Sequence, residues 1–165
     1  MSQLVEMEVH GITLDPATQM PIVVLKGKED ENLILPIWIG AFEANGIAMR
    51  LQGVEPPRPM TYELLKTVIV QMGGVVEKVV INDLRENTYY AEIYINQGNN
   101  TLVIDSRPSD AINLALRFGA PIFVAEHVLE QSRIPEPPED EEKRKLREWL
   151  ENIRPEDFEI GGEKS

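Results

Sequence analysis

The residues best placed to do chemistry lie in IDSRPSDAINLALRFGAP, Ile104 to Pro121, where Asp105, Arg107 and Asp110 fall within six positions and Arg117 follows on the same apolar run. The stretch reads as a strand ending near Asp105 and a helix beginning at Arg107. With Arg107 as N-cap, Pro108 takes the first helical position, where a missing N–H costs nothing. Asp110 then stands at N3, where an acid can reach back to free backbone N–H groups and suits the positive helix end. Capping is one account of the cluster. The other is a site: a helix N-terminus beside an arginine is suited to anions, and arginine can grip phosphate through two parallel hydrogen bonds. Asp105 and Asp110, with Glu43 from an earlier helix start, offer carboxylate oxygens of the kind Mg²⁺ or Mn²⁺ takes. Such an ion would acidify a bound water and offset charge on an attacked phosphate.

A second basic point is Arg58 in VEPPRPMT, held on a stiff proline-flanked segment. The Thr61 hydroxyl and Ser109 in the helix start are further phosphate-binding candidates, and Thr61 is also a natural N-cap with Glu63 in the first turn behind it. His10 and His127 read as incidental. Tyr89 and Tyr90 could stack on bases, although strand residues facing a core and its surface explain them as well. No P-loop, glycine-rich dinucleotide turn or Ser-His-Asp arrangement is present.

These residues need elements to hold them. Val5, Met7 and Val9 alternate with polar residues and predict a strand to about Leu14, and PIVVLKG and LILPIWI predict two more. Gly40 opens the apolar helix AFEANGIAMRL. TYELLKTVIVQM predicts an amphipathic helix with Leu64, Leu65, Val68, Ile69 and Met72 on one face, ended by Gly73-Gly74. VVEKVVINDL, TYYAEIYIN and TLVIDS predict three strands, followed by the helix to Phe118, a strand at PIFV and a helix at AEHVLEQS. The order strand-strand-strand-helix occurs twice. EANGIAMRL from Glu43 aligns with DAINLALRF from Asp110, acid on acid and Arg50 on Arg117. The expectation is an α+β fold of internally duplicated β-β-β-α units, about 4–51 and 75–118, sharing one core and a mostly antiparallel sheet.

Charge and length bound the function. The chain has 165 residues, a net charge of −12 and no cysteine. One domain over residues 1–132 is expected, then an acidic, proline-rich linker from RIPEPPEDEE and a tail helix with Leu146, Trp149, Leu150 and Ile153 at helical spacing. Trp149 and Leu150 are costly to leave in water, so that helix is expected to dock. The acidic surface argues against tight non-specific binding to nucleic acid, which needs basic residues against phosphate. Thiolate metal sites and disulfides are excluded. No apolar run is long enough to span a bilayer, and the first residues lack a basic start with an apolar stretch, so a cytoplasmic protein is expected.

The strings LPIWIGAFEANGIA, PRPMTYELL, DLRENTYYAEI and IDSRPSDAINLALRFGAPIFV resemble the bifunctional nuclease (BFN) domain, over about residues 4–132. The resemblance implies hydrolysis of phosphodiester bonds in DNA or RNA, with nucleic acid as a weakly bound substrate and a divalent metal assisting. Many relatives read T-H-D-L or T-H-E-L where this chain has Thr61-Tyr62-Glu63-Leu64, so Tyr62 stands where they carry a histidine. On this reading Asp105, Arg107, Asp110 and Glu43 are the catalytic candidates, Arg58, Arg107, Ser109 and Thr61 hold phosphate, and Asp105, Asp110 and Glu43 hold metal. The alternative is a non-catalytic ligand-binding or interaction module. The apolar helices point to a homo-oligomer, a dimer above other states.

Overall fold

The computed structural model describes residues 3–132 and 148–152. The elements follow the sequence patterns closely: β1 (Leu4–Leu14), β2 (Pro21–Gly27), β3 (Ile34–Trp38), α1 (Ala41–Leu51), α2 (Thr61–Gln71), β4 (Gly74–Arg85), β5 (Thr88–Gln97), β6 (Asn100–Ser106), α3 (Pro108–Phe118), β7 (Ile122–Ala125) and α4 (Glu126–Ser132). A short helical stretch covers 148–152.

The seven strands among the described residues form one sheet in the order β3-β2-β1-β7-β4-β5-β6. Every neighbouring pair is antiparallel except β4 with β7. The fold is therefore α+β, with a mixed and mostly antiparallel sheet. The two expected strand-strand-strand-helix runs are present as β1β2β3α1 and β4β5β6α3, but they do not form separate sheets, and β7 joins them by pairing with β1 and β4. The β4–β5 hairpin turns through Glu86 and Asn87, both at positive φ (49° and 64°). That matches the twist of the strands it joins, and asparagine tolerates it.

Strand alternation sends one set of side chains into the main core. Val23, Leu25, Val79, Ile81, Ala91 and Ile93 meet Ala44 and Ile47 of α1 and Ala111, Ile112, Leu114 and Ala115 of α3. Alanines at the helix contacts let α1 and α3 pack closely on the sheet and on each other. On the opposite face Ile22 and Val24 are covered by Leu150 of the tail, with Ile34 beside them. The expected docking of the tail helix is thus seen for Leu150, while Leu146 and Ile153 lie outside the described residues.

Helix α2 departs from the expectation of a buried apolar face. None of its residues is fully buried. Ile69 packs against the core, near Ile95 and Gly74, but Leu64, Leu65, Val68 and Met72 remain exposed.

Candidate functional site

The site is assembled where α2 crosses the N-terminal ends of α1 and α3. Arg107 is the N-cap of α3 in extended backbone conformation (φ −73°, ψ 147°), Pro108 begins the helix, and Asp110 is in its first turn. Gly40 and Glu43 hold the corresponding places on α1. Neither N-cap residue makes a side-chain cap hydrogen bond. Asp110 instead turns to side chains. Arg107 donates through Nε to Asp110 Oδ2 (3.0 Å) and through Nη2 to Oδ1 (3.1 Å), and Tyr62 Oη donates to Oδ1 at 2.6 Å. Glu43 Oε2 lies 3.7 Å from Arg107 Nη2. The Glu43 carboxylate folds over Gly40, so any Cβ at that position would collide with it.

Beneath this cluster a buried network fixes the three helices. Arg117, 6% exposed, donates through Nε to Glu63 Oε2 (2.5 Å), through Nη1 to Asn113 Oδ1 (3.0 Å) and through Nη2 to the Gly46 carbonyl (3.1 Å). Its guanidinium lies 5.2 Å from the centre of the Tyr62 ring. Asn113 Nδ2 donates to the carbonyls of Glu43 (3.0 Å) and Ser109 (2.9 Å). A buried arginine is tolerable because its charge and donors are so fully matched. The network ties α2 to α3 through Glu63 and α1 to α3 through Asn113.

These contacts set the acidities. Burial raises the Tyr62 phenol, and the neighbouring Asp110 and Glu43 carboxylates raise it further against the opposing charge of Arg107, so it stays protonated and a donor. Burial alone would raise Glu63. Arg117 and the Met60 backbone N–H more than offset that, and the carboxyl sits below its usual value. The Arg107 guanidinium is held charged by its hydrogen bond to Asp110.

The cluster borders a cleft of about 840 Å³ lined by Glu43, Thr61, Tyr62, Glu63, Arg107 and Asp110, with Phe42, Met49, Leu65, Tyr89, Ile93 and Ile104 supplying apolar wall. Of the residues singled out in sequence, Arg107, Asp110, Glu43 and Thr61 come together here. Thr61 is the first helical residue of α2, not its cap; Met60 takes the cap, and Glu63 accepts from its N–H (3.2 Å). Ser109 is 5% exposed and not part of the cleft wall, and Arg58 sits on the exposed α1–α2 connection away from it. Tyr62, Glu63 and Asn113 complete the site; in the sequence Tyr62 stands out only as the residue at the relatives' histidine position, Glu63 only as a first-turn acid, and Asn113 not at all.

Asp105 borders the cleft without joining the carboxylates. Ile104 and Ser106 stand opposite Ile93 and Ala91, which face the helices, so the pleat sends Asp105 to the other side of the sheet, opposite Glu92. There its charge is felt by Arg85, whose guanidinium is stacked 4.5 Å from the Tyr90 ring centre. Both oxygens of Asp110 are already hydrogen-bonded. Among the described residues no three His, Cys, Asp or Glu side chains converge as a metal-binding group. The expected Mg²⁺ or Mn²⁺ site at Asp105, Asp110 and Glu43 does not fit this arrangement.

The sequence has recognisable relatives. The profile of the bifunctional nuclease domain matches residues 23–137, which span the cleft and every residue of its polar cluster. The chain belongs to the bifunctional nuclease domain family. An uncharacterized protein of Mycobacterium tuberculosis is 37% identical over 163 residues, covering 93% of this chain and 97% of that protein. Bifunctional nuclease 1 of Oryza sativa subsp. indica is 33% identical over 105 residues, covering 62% of this chain and 32% of its own length. Bifunctional nuclease 1 of Arabidopsis thaliana is 30% identical over 111 residues, covering 34% of its length. Among the described residues no helix is long and apolar enough to cross a membrane.

Proposed function

We propose that this protein is a nuclease that hydrolyses phosphodiester bonds in DNA or RNA at the α1–α2–α3 cleft. The observation that carries the reading is the convergence of Arg107, Asp110, Glu43 and Tyr62 at one cleft, within a domain shared with plant proteins named as bifunctional nucleases. Arg107, with a side chain 63% exposed, is the group for the substrate phosphate. Its contact with Asp110 aims it, and Tyr62 holds Asp110 in place. Charge developing on the phosphate in the transition state is stabilised by the fixed guanidinium and the free N–H groups of the α3 N-terminus. Glu43, whose carboxylate lies beside Arg107, is the candidate base for the attacking water. Among the described residues Glu43 and Asp110 meet at Arg107 without a third carboxylate to form a metal-binding group, so these roles fall to the side chains themselves. The acidic chain makes nucleic acid a weakly held substrate.

The same reading takes the fold as an internal duplication. Glu43 and Asp110 occupy equal places in α1 and α3, and Arg50 and Arg117 each reach a carbonyl of the other helix, at Leu116 and Gly46. Superposition of residues 4–51 on 75–118 tests it: Glu43 and Asp110 must coincide.

The nuclease reading is tested by cleavage of single-stranded DNA, duplex DNA and RNA by highly purified protein, with Mg²⁺, with Mn²⁺ and with chelator. Arg107→Ala is expected to lower the rate about a hundredfold, the effect of losing one transition-state contact worth about 3 kcal/mol. Lys28→Ala, in the turn between β2 and β3, is expected to change little. Equal rates in both variants and the parent would assign the cleavage to a contaminant or another site. No cleavage under any condition favours the second reading, a binding module, which the full engagement of Asp110 by its own neighbours supports.

A further inference from the structure

Among the described residues no element covers the β6 edge of the sheet. β6 pairs with β5 on one side only and ends the strand order. Edge strands are normally blunted by lysine, proline, a bulge or a covering element, because their unpaired N–H and C=O groups invite another strand. Asn100–Ser106 reads NTLVIDS, with neither lysine nor proline, and its pairing with β5 runs without a bulge. Its apolar residues are exposed on both faces: Leu102 (41%) and Ile104 on the helix side, Val103 (48%) on the other.

Helix α2 adds to the same surface. Glu63 and Lys66 turn toward α3, bonding to Arg117, which leaves Leu64, Leu65, Val68 and Met72 on the far side of the helix. Met72 is 68% exposed. Leu65 and Ile104 both line the cleft, so the apolar flank of α2, the cleft and the β6 edge are continuous. Together they form one continuous exposed apolar surface, the kind of patch that marks a protein–protein contact.

We propose that this surface binds a second copy of the chain, β6 pairing antiparallel with its counterpart about a two-fold axis near Val103. The strand is self-complementary in that register. Leu102 meets Ile104 of the second copy, and no like charges are opposed, since Thr101 faces Asp105. The two α2 helices then lie on the same side of a continuous fourteen-stranded sheet and bury their apolar flanks over Leu102 and Ile104. Charge favours this meeting place. Two copies of a chain at −12 repel, yet residues 64–76 carry one charge, Lys66, and β6 carries one, Asp105. The described part of the tail is not the occupant, because Leu150 is anchored on Ile22 and Val24 of β2, on the opposite face and five strands away. Pairing also walls the open side of the cleft with the α2 of the second copy.

The test does not depend on nuclease activity. Light scattering of the full chain from 1 to 200 µM is expected to give a dimer, and Val103→Lys is expected to weaken it at least a hundredfold while the circular dichroism spectrum is unchanged, since Val103 is half exposed. Because the chain has no cysteine, Val103→Cys supplies a second readout: oxidation is expected to cross-link two copies through that position. A monomeric parent protein overturns the proposal, as does a dimer equally stable with Lys at 103. A monomer whose Val103→Cys thiol resists labelling would instead assign the edge to the tail or another segment, and would overturn it too.

Discussion

The hydroxyl of Tyr62 on α2 donates to Asp110 on α3 across 48 residues of sequence, at 2.6 Å, and so links the helix that crosses the site to the carboxylate that aims Arg107. The acceptor is charged and the phenol about half buried, which places this bond among the stronger ones. Tyr62→Phe keeps the ring under Arg117 and removes only the hydroxyl. It is expected to cost about 1.5 kcal/mol of stability, read from the urea midpoint. If Asp110 positions Arg107, nuclease activity should fall roughly tenfold with little change in KM. A purely structural bond would lower the midpoint and leave kcat alone.

Glu63 and Arg117 predict a pH dependence. The Glu63 carboxyl is held below its usual value of 4.5 in the folded protein. A depressed carboxyl contributes stability that is present above the unfolded value and is lost as pH falls through the lower folded value. Glu63→Gln is therefore expected to destabilise by about 2 kcal/mol at pH 7, because it strips the buried Arg117 of its counter-charge while the 29% exposure of Glu63 moderates the loss. The gap between parent and variant should shrink as pH falls below 4.5. Urea midpoints at pH 7, 5 and 3.5 check this, and a constant gap would sink the assignment.

Much of this was legible in the sequence, for a definite reason. Alternation in β1, β4 and β5 and the Gly40 and Arg107 helix starts are local signals, and they placed Glu43 and Asp110 on equivalent turns. The missing parts depend on which helix crosses which. Nothing near Tyr62 in sequence announces Asp110, 48 residues on, and Glu63 meets Arg117 after 54. Asn113 reads as a polar lapse in an apolar helix until its three partners are in view. Asp105 is different, because the signal was present. With Leu102, Ile104 and Ser106 on the helix face, period-two alternation already sends Asp105 away from Asp110. The exposed flank of α2 reverses the expectation of its periodicity: an amphipathic pattern shows that one side wants cover, not that the same chain supplies it.

Leu150 supplies cover elsewhere. It is 5% exposed over Ile22 and Val24, while Trp149 beside it stays 37% exposed. Leu150→Ala is expected to cost about 2 kcal/mol, near the low end for a buried leucine because the cluster is small. In a Trp38→Phe background, which leaves Trp149 as the sole tryptophan, its emission should shift to the red as the tail lifts. An unchanged spectrum and midpoint would show that this contact holds nothing.

Gly46 gives the strictest test of the three-helix junction. It lies inside α1, where replacing glycine by alanine ordinarily stabilises a helix by about 1 kcal/mol. Here a Cβ would stand 2.6 Å from Asn113 Oδ1 and 2.9 Å from Tyr62 Cε2. Neither neighbour is free to withdraw. Asn113 is held by the carbonyls of Glu43 and Ser109 and by Arg117, and Tyr62 by Asp110 and the Arg117 guanidinium above its ring. Overpacking of this kind costs about 1–3 kcal/mol, so Gly46→Ala should destabilise by about 1 kcal/mol net in place of the usual gain. Because the displaced ring carries the hydroxyl that holds Asp110, activity should fall with it, by about the same factor as in Tyr62→Phe. The double variant separates packing from hydrogen bonding. Adding Gly46→Ala to Tyr62→Phe should lower the urea midpoint further but reduce kcat little more, since the hydroxyl is already gone. Additive losses in kcat would place the effect of Gly46 elsewhere than Tyr62.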